Sequence, residues 1–237
     1  MCPLCGMAEE TFEHLLLLCQ WVDPIWCLYV YQHQEVSSIV TLKAARNFAY
    51  EFLHATGSLG GKRFNNKNMQ WLPPPFDLFK INTDASWYPP NQAGIGCVIR
   101  DSNRVLITGT SYKESCGSVT EAEASAILVG ADLAASLQLQ DVIIESYSEE
   151  VILELKKKHG KVNWRTYLII QQIRRKCSSF DSCIWVWIPR EANQVAHGAA
   201  SLAFGTVDPM RWASQPPPSL TNVLRNDGLP CPPMVTD

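Results

Sequence analysis

Three strand-length segments follow one another between residues 76 and 112, and a long alanine-rich helical stretch comes directly after them. Residues 76–85 alternate apolar Phe79, Ile81 and Thr83 with polar Lys80, Asn82 and Asp84, the two-residue period of a strand. Residues 93–100 and 105–112 read as two further strands, entered through the turns Pro89-Pro90-Asn91 and Asp101-Ser102-Asn103. The helix spans about 118–137, a strand follows at 141–147, and a second helix starts at Ser148. A third helix near 163–178, a strand at 183–188 and a last helix at 192–204 complete the order βββαβααβα. Five strands interleaved with helices in this way constrain the region 76–204 to a mixed α/β domain.

The flanking regions differ in kind. Residues 1–30 hold Cys2, Cys5, His14 and Cys19 in the spacing C-x2-C-x8-H-x4-C. Four thiolate and imidazole donors suit a closed, tetrahedral structural zinc site, which would staple a segment too small to fold alone. Residues 31–75 read as a helix, with helical spacing over 36–54, and then a linker ending in Pro73-Pro74-Pro75. Residues 205–237, with Pro216-Pro217-Pro218 and Pro230, Pro232 and Pro233, are expected to form an irregular tail. Leu15-Leu16-Leu17-Leu18 is far short of the roughly 20 apolar residues of a membrane span, so no membrane contact is expected. No basic segment followed by an apolar run opens the chain, so an intracellular location, nuclear or cytoplasmic, is expected. A formal charge of −3 argues against a uniformly basic nucleic-acid binder. Any phosphate-binding surface must be local.

Two carboxylates stand out within the α/β region. Asp84 lies late in the first strand, on the face that also carries Lys80 and Asn82. Glu123 shares a helix stripe with Ile127 and Gly130, whereas Glu121 lies about 200° around the helix and should face solvent. Hard oxygen donors that converge from different elements are what a divalent cation such as Mg²⁺ requires.

The segments AsnThrAspAlaSer (82–86), AlaGlyIleGlyCysValIleArgAsp (93–101), GluAlaGluAlaSerAlaIleLeuValGly (121–130), ValIleIleGluSer (142–146) and ProArgGluAlaAsnGlnValAla (189–196) together resemble the ribonuclease H-type domain of plant non-LTR retrotransposon reverse transcriptases. The cysteine–histidine segment resembles the zinc-binding segment that precedes that domain. The resemblance implies a ribonuclease H-like mixed five-stranded sheet flanked by helices, with a small N-terminal zinc-binding module. It implies hydrolysis of the RNA strand of an RNA–DNA hybrid by two Mg²⁺ ions held on four carboxylates. Carried over residue by residue, the first two carboxylates are Asp84 and Glu123, but Tyr147 stands at the third position and His197 at the fourth. A phenol brings bulk without charge at neutral pH, and Glu145, two residues back at about 6.8 Å, is too far to replace it. A neutral imidazole suits Mn²⁺ or Zn²⁺ better than Mg²⁺. Catalysis is therefore expected to be lost or severely weakened.

Residues 155–180 hold Lys156, Lys157, Lys158, Lys161, Arg165, Arg174, Arg175 and Lys176 with no acidic residue, and Trp164 lies among them. This composition suits contact with a phosphate backbone, the aromatic ring packing on a sugar or base. Three readings remain open: a nucleic-acid-binding domain with a decayed nuclease centre, an active hybrid nuclease with an altered metal set, and a relic or interaction scaffold with no nucleic-acid role.

Overall fold

The structure, a computed structural model, describes Lys43 and residues 70–157, 164–213 and 215–229. The expected zinc ligands Cys2, Cys5, His14 and Cys19, most of the 31–75 region, and Lys158 and Lys161 lie outside the described residues. Strands β1 (Phe79–Tyr88), β2 (Gln92–Arg100) and β3 (Leu106–Ser115) form an antiparallel meander. Helix α1 (Val119–Ser136) then carries the chain to β4 (Asp141–Ser146), which lies parallel to β1. Helices α2 (Glu149–Lys156) and α3 (Trp164–Cys177) lead to β5 (Ser182–Trp187), parallel to β4, and α4 (Gln194–Leu202) follows.

The sheet has six strands, in the order β5-β4-β1-β2-β3-β6, rather than the expected five. The sixth, β6 (Met210–Trp212), comes from the region read as an irregular tail and pairs with the outer edge of β3. A further helix, α5 (Pro218–Asn226), begins directly after Pro217. Proline in the first turn is compatible with a helix because its missing N–H would have no partner there. Pro217 and Pro218 thus mark a helix start, whereas Pro230, Pro232 and Pro233 lie outside the described residues. Trp212, Leu220 and Leu224 are buried with Val98, Leu106, Val195 and Ala199, so this segment covers one face of the sheet. Helices α1, α2 and α3 cover the other, around Ile81, Ile99, Ile127, Ile144, Ile152 and Ile173.

The period-two alternation of β1 sorts its side chains between these layers. Ile81 and Thr83 face α1, where Gly130 lets the helix come close: a Cβ there would lie 2.8 Å from the Cγ2 atoms of both. Lys80 and Asn82 project to the opposite layer, fully buried. Lys80 Nζ is 2.5 Å from Glu145 Oε1, and Asn82 Nδ2 donates to Glu145 Oε2 at 2.8 Å. Arg100 donates to Asn82 Oδ1 and to Asp227 Oδ2, both at 2.7 Å, and its guanidinium lies 3.4 Å from the ring centre of buried Trp71. Lys80 also donates to the Leu72 carbonyl at 2.7 Å, and Arg104 to the Asp227 carbonyl at 2.6 Å. One polar cluster therefore ties the segment before β1 and the segment after α5 to the sheet. The folded unit extends beyond 76–204 at both ends.

Burial is the largest influence on both partners of the Arg100–Asp227 pair, pulling the guanidinium down and pushing the carboxyl up from their ordinary values. Such a pair adds little net stability, but losing one partner leaves a buried charge unmatched. Asp227→Ala is expected to destabilise the domain by about 2–4 kcal/mol, and Asp227→Ala combined with Arg100→Leu by less. Urea unfolding of the two variants checks this.

Candidate functional site

Asp84 and Glu123 lie close enough for the charge of one to act on the other. Helix α1 is capped by Ser118, whose hydroxyl accepts from the Glu121 amide at 3.1 Å. Glu121 was expected in solvent but is only half-exposed, because its carboxylate folds back to accept from the Gly117 amide at 3.1 Å. This is close to a capping box, and it sets the helix start. Two residues on, Glu123 is 6% exposed and Asp84 4%. Both carboxyls accept from the Ala85 amide. Glu123 Oε2 has no hydrogen-bond partner. Burial, reinforced by the neighbouring Asp84 charge, raises the Glu123 carboxyl well above the usual carboxylate range. Burial also raises Asp84, opposed by its hydrogen bond to His197 and by the Arg190 charge.

His197 reaches Asp84 because α4 lies against the sheet at backbone distance. A Cβ on Gly96 would come within 2.2 Å of the Ala200 amide nitrogen, so only glycine permits this approach. Asn193, buried just before the helix, donates to the Thr83 carbonyl at 2.9 Å and anchors its start to β1. His197 Nδ1 is 2.9 Å from Asp84 Oδ2. Arg190, on the turn Arg190–Ala192, lays Nη2 3.0 Å from His197 Nε2 and 3.4 Å from Nδ1. The guanidinium thus lies across the imidazole ring, while Nδ1 faces the Asp84 carboxyl. No role could be read for Arg190 in the sequence because it lies in an irregular turn, where neither helix nor strand period marks a side chain.

The third position differs. Thr83 is paired with Ser146, so Tyr147 comes level with Asp84 one residue further on. Its side chain is 44% exposed, and its carbonyl accepts from Trp187 Nε1 at 2.9 Å. Glu145 is withheld from the site by more than distance: it is buried against Lys80 and Asn82.

Among the expected phosphate-binding residues, Lys156, Lys157, Trp164, Arg165 and Arg175 are exposed. The Arg165 guanidinium lies 5.3 Å from the ring centre of Trp164, which is 66% exposed. Lys157 also lies 3.3 Å from Glu154. Arg174 does not belong to the exposed set. It donates to the Glu154 carbonyl at 2.6 Å and to the Lys157 carbonyl, satisfying acceptors at the end of α2. Lys176 pairs with Asp132 at 2.8 Å.

The order of strands, the helices on both faces and a carboxylate pair at the β1–α1 junction define a ribonuclease H-like domain of retroelement type. Residues 82–203, just over half of the chain, match the reverse transcriptase-like family, and the chain belongs to it. An Arabidopsis thaliana protein that carries a ribonuclease H name is 29% identical over 164 residues, 67% of this chain. The chain spans about a quarter (26%) of that curated relative's length. Ribonuclease H1 of the halophilic archaeon Halobacterium salinarum superposes with a TM-score of 0.52 at 17% identity, covering 54% of this chain and 98% of that one. The N-terminal RNase H domain of a Mycobacterium tuberculosis protein gives 0.51 at 18% identity, covering 54% and 94%. These likenesses are of fold.

Two Mg²⁺ ions on four carboxylates, as the resemblance implies, do not fit the side chains present. Asp84 and Glu123 are the two carboxyls in place, the third position holds a phenol, and His197 turns Nδ1 to Asp84 with Arg190 across its ring. Among the described residues, no three His, Cys, Asp or Glu side chains are grouped so as to hold a metal ion.

A carboxyl whose folded value is raised favours the folded state only while protonated. Its effect is full below its unfolded value and is lost as pH rises through the higher, folded one. Glu123→Gln removes that loss while its amide oxygen can still accept from Ala85. The variant is expected to melt higher than the native chain at neutral pH, the gap closing as pH falls to about 4. Thermal melts across this range read the difference.

Proposed function

We propose that this chain is a nucleic-acid-binding ribonuclease H-like domain in which hydrolysis of the RNA strand of RNA–DNA hybrids is lost or severely weakened. The observation that carries the reading is the Asp84–His197 hydrogen bond. Where the family resemblance calls for a fourth metal-binding carboxylate, an imidazole occupies Asp84 itself. The Tyr147 phenol adds no anion at the third position. A nuclease that uses Mn²⁺ through His197 would need an accessible imidazole, and the Arg190 guanidinium lies across it.

Binding is supported by the exposed basic and aromatic side chains of α2 and α3. Lys156, Lys157, Arg165 and Arg175 would lie along a phosphate backbone, and Trp164 would stack on a base or sugar. An indole left two-thirds exposed beside a guanidinium contributes little to the core. The substrate class this suits is an RNA–DNA hybrid or another nucleic acid.

Two measurements test the reading. In a hybrid-cleavage assay with Mg²⁺, the native chain is expected to be inactive or nearly so, and Tyr147→Asp/His197→Asp to regain cleavage. Efficient cleavage by the native chain, abolished by Asp84→Asn, would sink the proposal. In a binding titration, Arg165→Ala/Arg175→Ala should weaken hybrid affinity and make the slope of log K against log salt shallower by about 1–2. Failure of the native chain to bind hybrid, duplex or single-stranded probes at any salt concentration would instead favour a scaffold without a nucleic-acid role.

A further inference from the structure

The carboxyl pair at the head of α1 poses an electrostatic problem. Asp84 and Glu123 are both nearly buried, share the Ala85 amide, and leave Glu123 Oε2 without a hydrogen-bond partner. Such a site needs a proton or a cation close by. Its nearest protein neighbours do not include a lysine: Lys80, on the same strand face, is turned to Glu145 and the Leu72 carbonyl. The side chain that lies across His197 is Arg190, and its fixed charge acts on both carboxyls.

The geometry points to Arg190 as the resident counter-cation of this centre, holding His197 on Asp84 and standing where a divalent ion would otherwise be drawn. The inference rests on reading Asp84, Glu123 and position 197 as a metal centre that has changed its ligands.

Three features support it. The turn that presents Arg190 is held firmly: its carbonyl accepts from the Asn193 amide at 3.0 Å and from Gln194 Nε2 at 2.9 Å. Asn193 is in turn anchored to the Thr83 carbonyl, one residue from Asp84. The guanidinium is therefore delivered by a segment fastened to the strand that carries the carboxylate. Second, the Arg190 guanidinium lies across the imidazole while Nδ1 is turned to Asp84, so a metal ion cannot reach that face of the ring until Arg190 moves. Third, an arginine keeps its charge at any pH a protein tolerates. A positive charge fixed beside two carboxyls repels a divalent cation as it attracts them. Arg190 acts on Asp84 through His197 and is in that sense a positioning residue.

The test uses the full chain and Mn²⁺ alone as probe. Free Mn²⁺ is followed by its electron paramagnetic resonance signal, and thermal midpoints are taken with and without the ion. Four proteins are compared: the native chain, Arg190→Ala, Arg190→Lys, and Arg190→Ala combined with Asp84→Asn. The Asp84→Asn background subtracts any Mn²⁺ held elsewhere in the chain. Arg190→Ala is expected to bind Mn²⁺ at least about tenfold more tightly than the native chain, with a rise in melting temperature on adding the ion. Both effects should vanish in the double variant. Arg190→Lys, which keeps the charge, should behave like the native chain. Equal Mn²⁺ binding by the native chain and Arg190→Ala, whether strong or absent, overturns the inference. So does Mn²⁺ binding by Arg190→Ala that survives Asp84→Asn. Hybrid cleavage by the native chain bears on the loss of catalysis and does not enter this comparison, so the two ideas fail separately.

Discussion

Strand β1 carries a row of polar side chains into the interior, and the domain is arranged to satisfy it. Lys80 and Asn82 are fully buried and Asp84 nearly so. Each would be costly in an apolar layer without a partner. Lys80 finds Glu145 from the neighbouring parallel strand; Asn82 finds Glu145, Arg100 and Asn193; Asp84 finds His197. The partners come from β2, β4 and the start of α4. The row thus fixes which elements must surround β1, and it decides where the sheet can be purely apolar.

The same row divides into a structural end and a chemical end. Around Lys80 and Arg100, the charges meet Glu145 and Asp227 and are closed over by Trp71, Leu72 and the segment after α5, although Arg100 Nε has no hydrogen-bond partner. Around Asp84, matching is incomplete: Glu123 retains an orphaned oxygen, and the cover is an exposed arginine laid over an imidazole. A site made for cations would leave such unsatisfied oxygens for the ion. Here His197 and Arg190 lie against that end of the row. The fold of the family is retained, and the scaffold depends on the Lys80 end of the row. The Asp84 end can change without the core being rebuilt.

Much of the fold was legible in the sequence, for identifiable reasons. The period of two in 79–84 and the alanine-rich run of α1 mark their elements through local sterics, and those elements form where expected. The β6 strand and α5 helix were missed because three residues carry no period and because prolines read as breakers. Only their burial against Val98 and Leu106 makes them part of the core. At the site, spacing put Asp84 on the polar face of its strand and Glu123 on an apolar helix stripe, and only the family resemblance joined them into one centre with Tyr147 and His197 as departures. Arg190 stood within the segment 189–196 that carries the resemblance, but no role could be read for it there, because its contact spans a turn and a helix.

The sequence by itself determined the alternation of strands and helices and the strand and helix faces that carry Asp84 and Glu123. These follow from backbone periodicity and side-chain chemistry, which act within a few residues. Only the tertiary structure decided what Asp84 touches, that Glu145 belongs to the interior, and that Arg174 serves a helix end while Arg165 stays exposed. Those outcomes depend on which distant segments approach one another. Glycines at 96 and 130 and the anchoring of Asn193 set these approaches to within a few tenths of an ångström, a precision no local pattern contains.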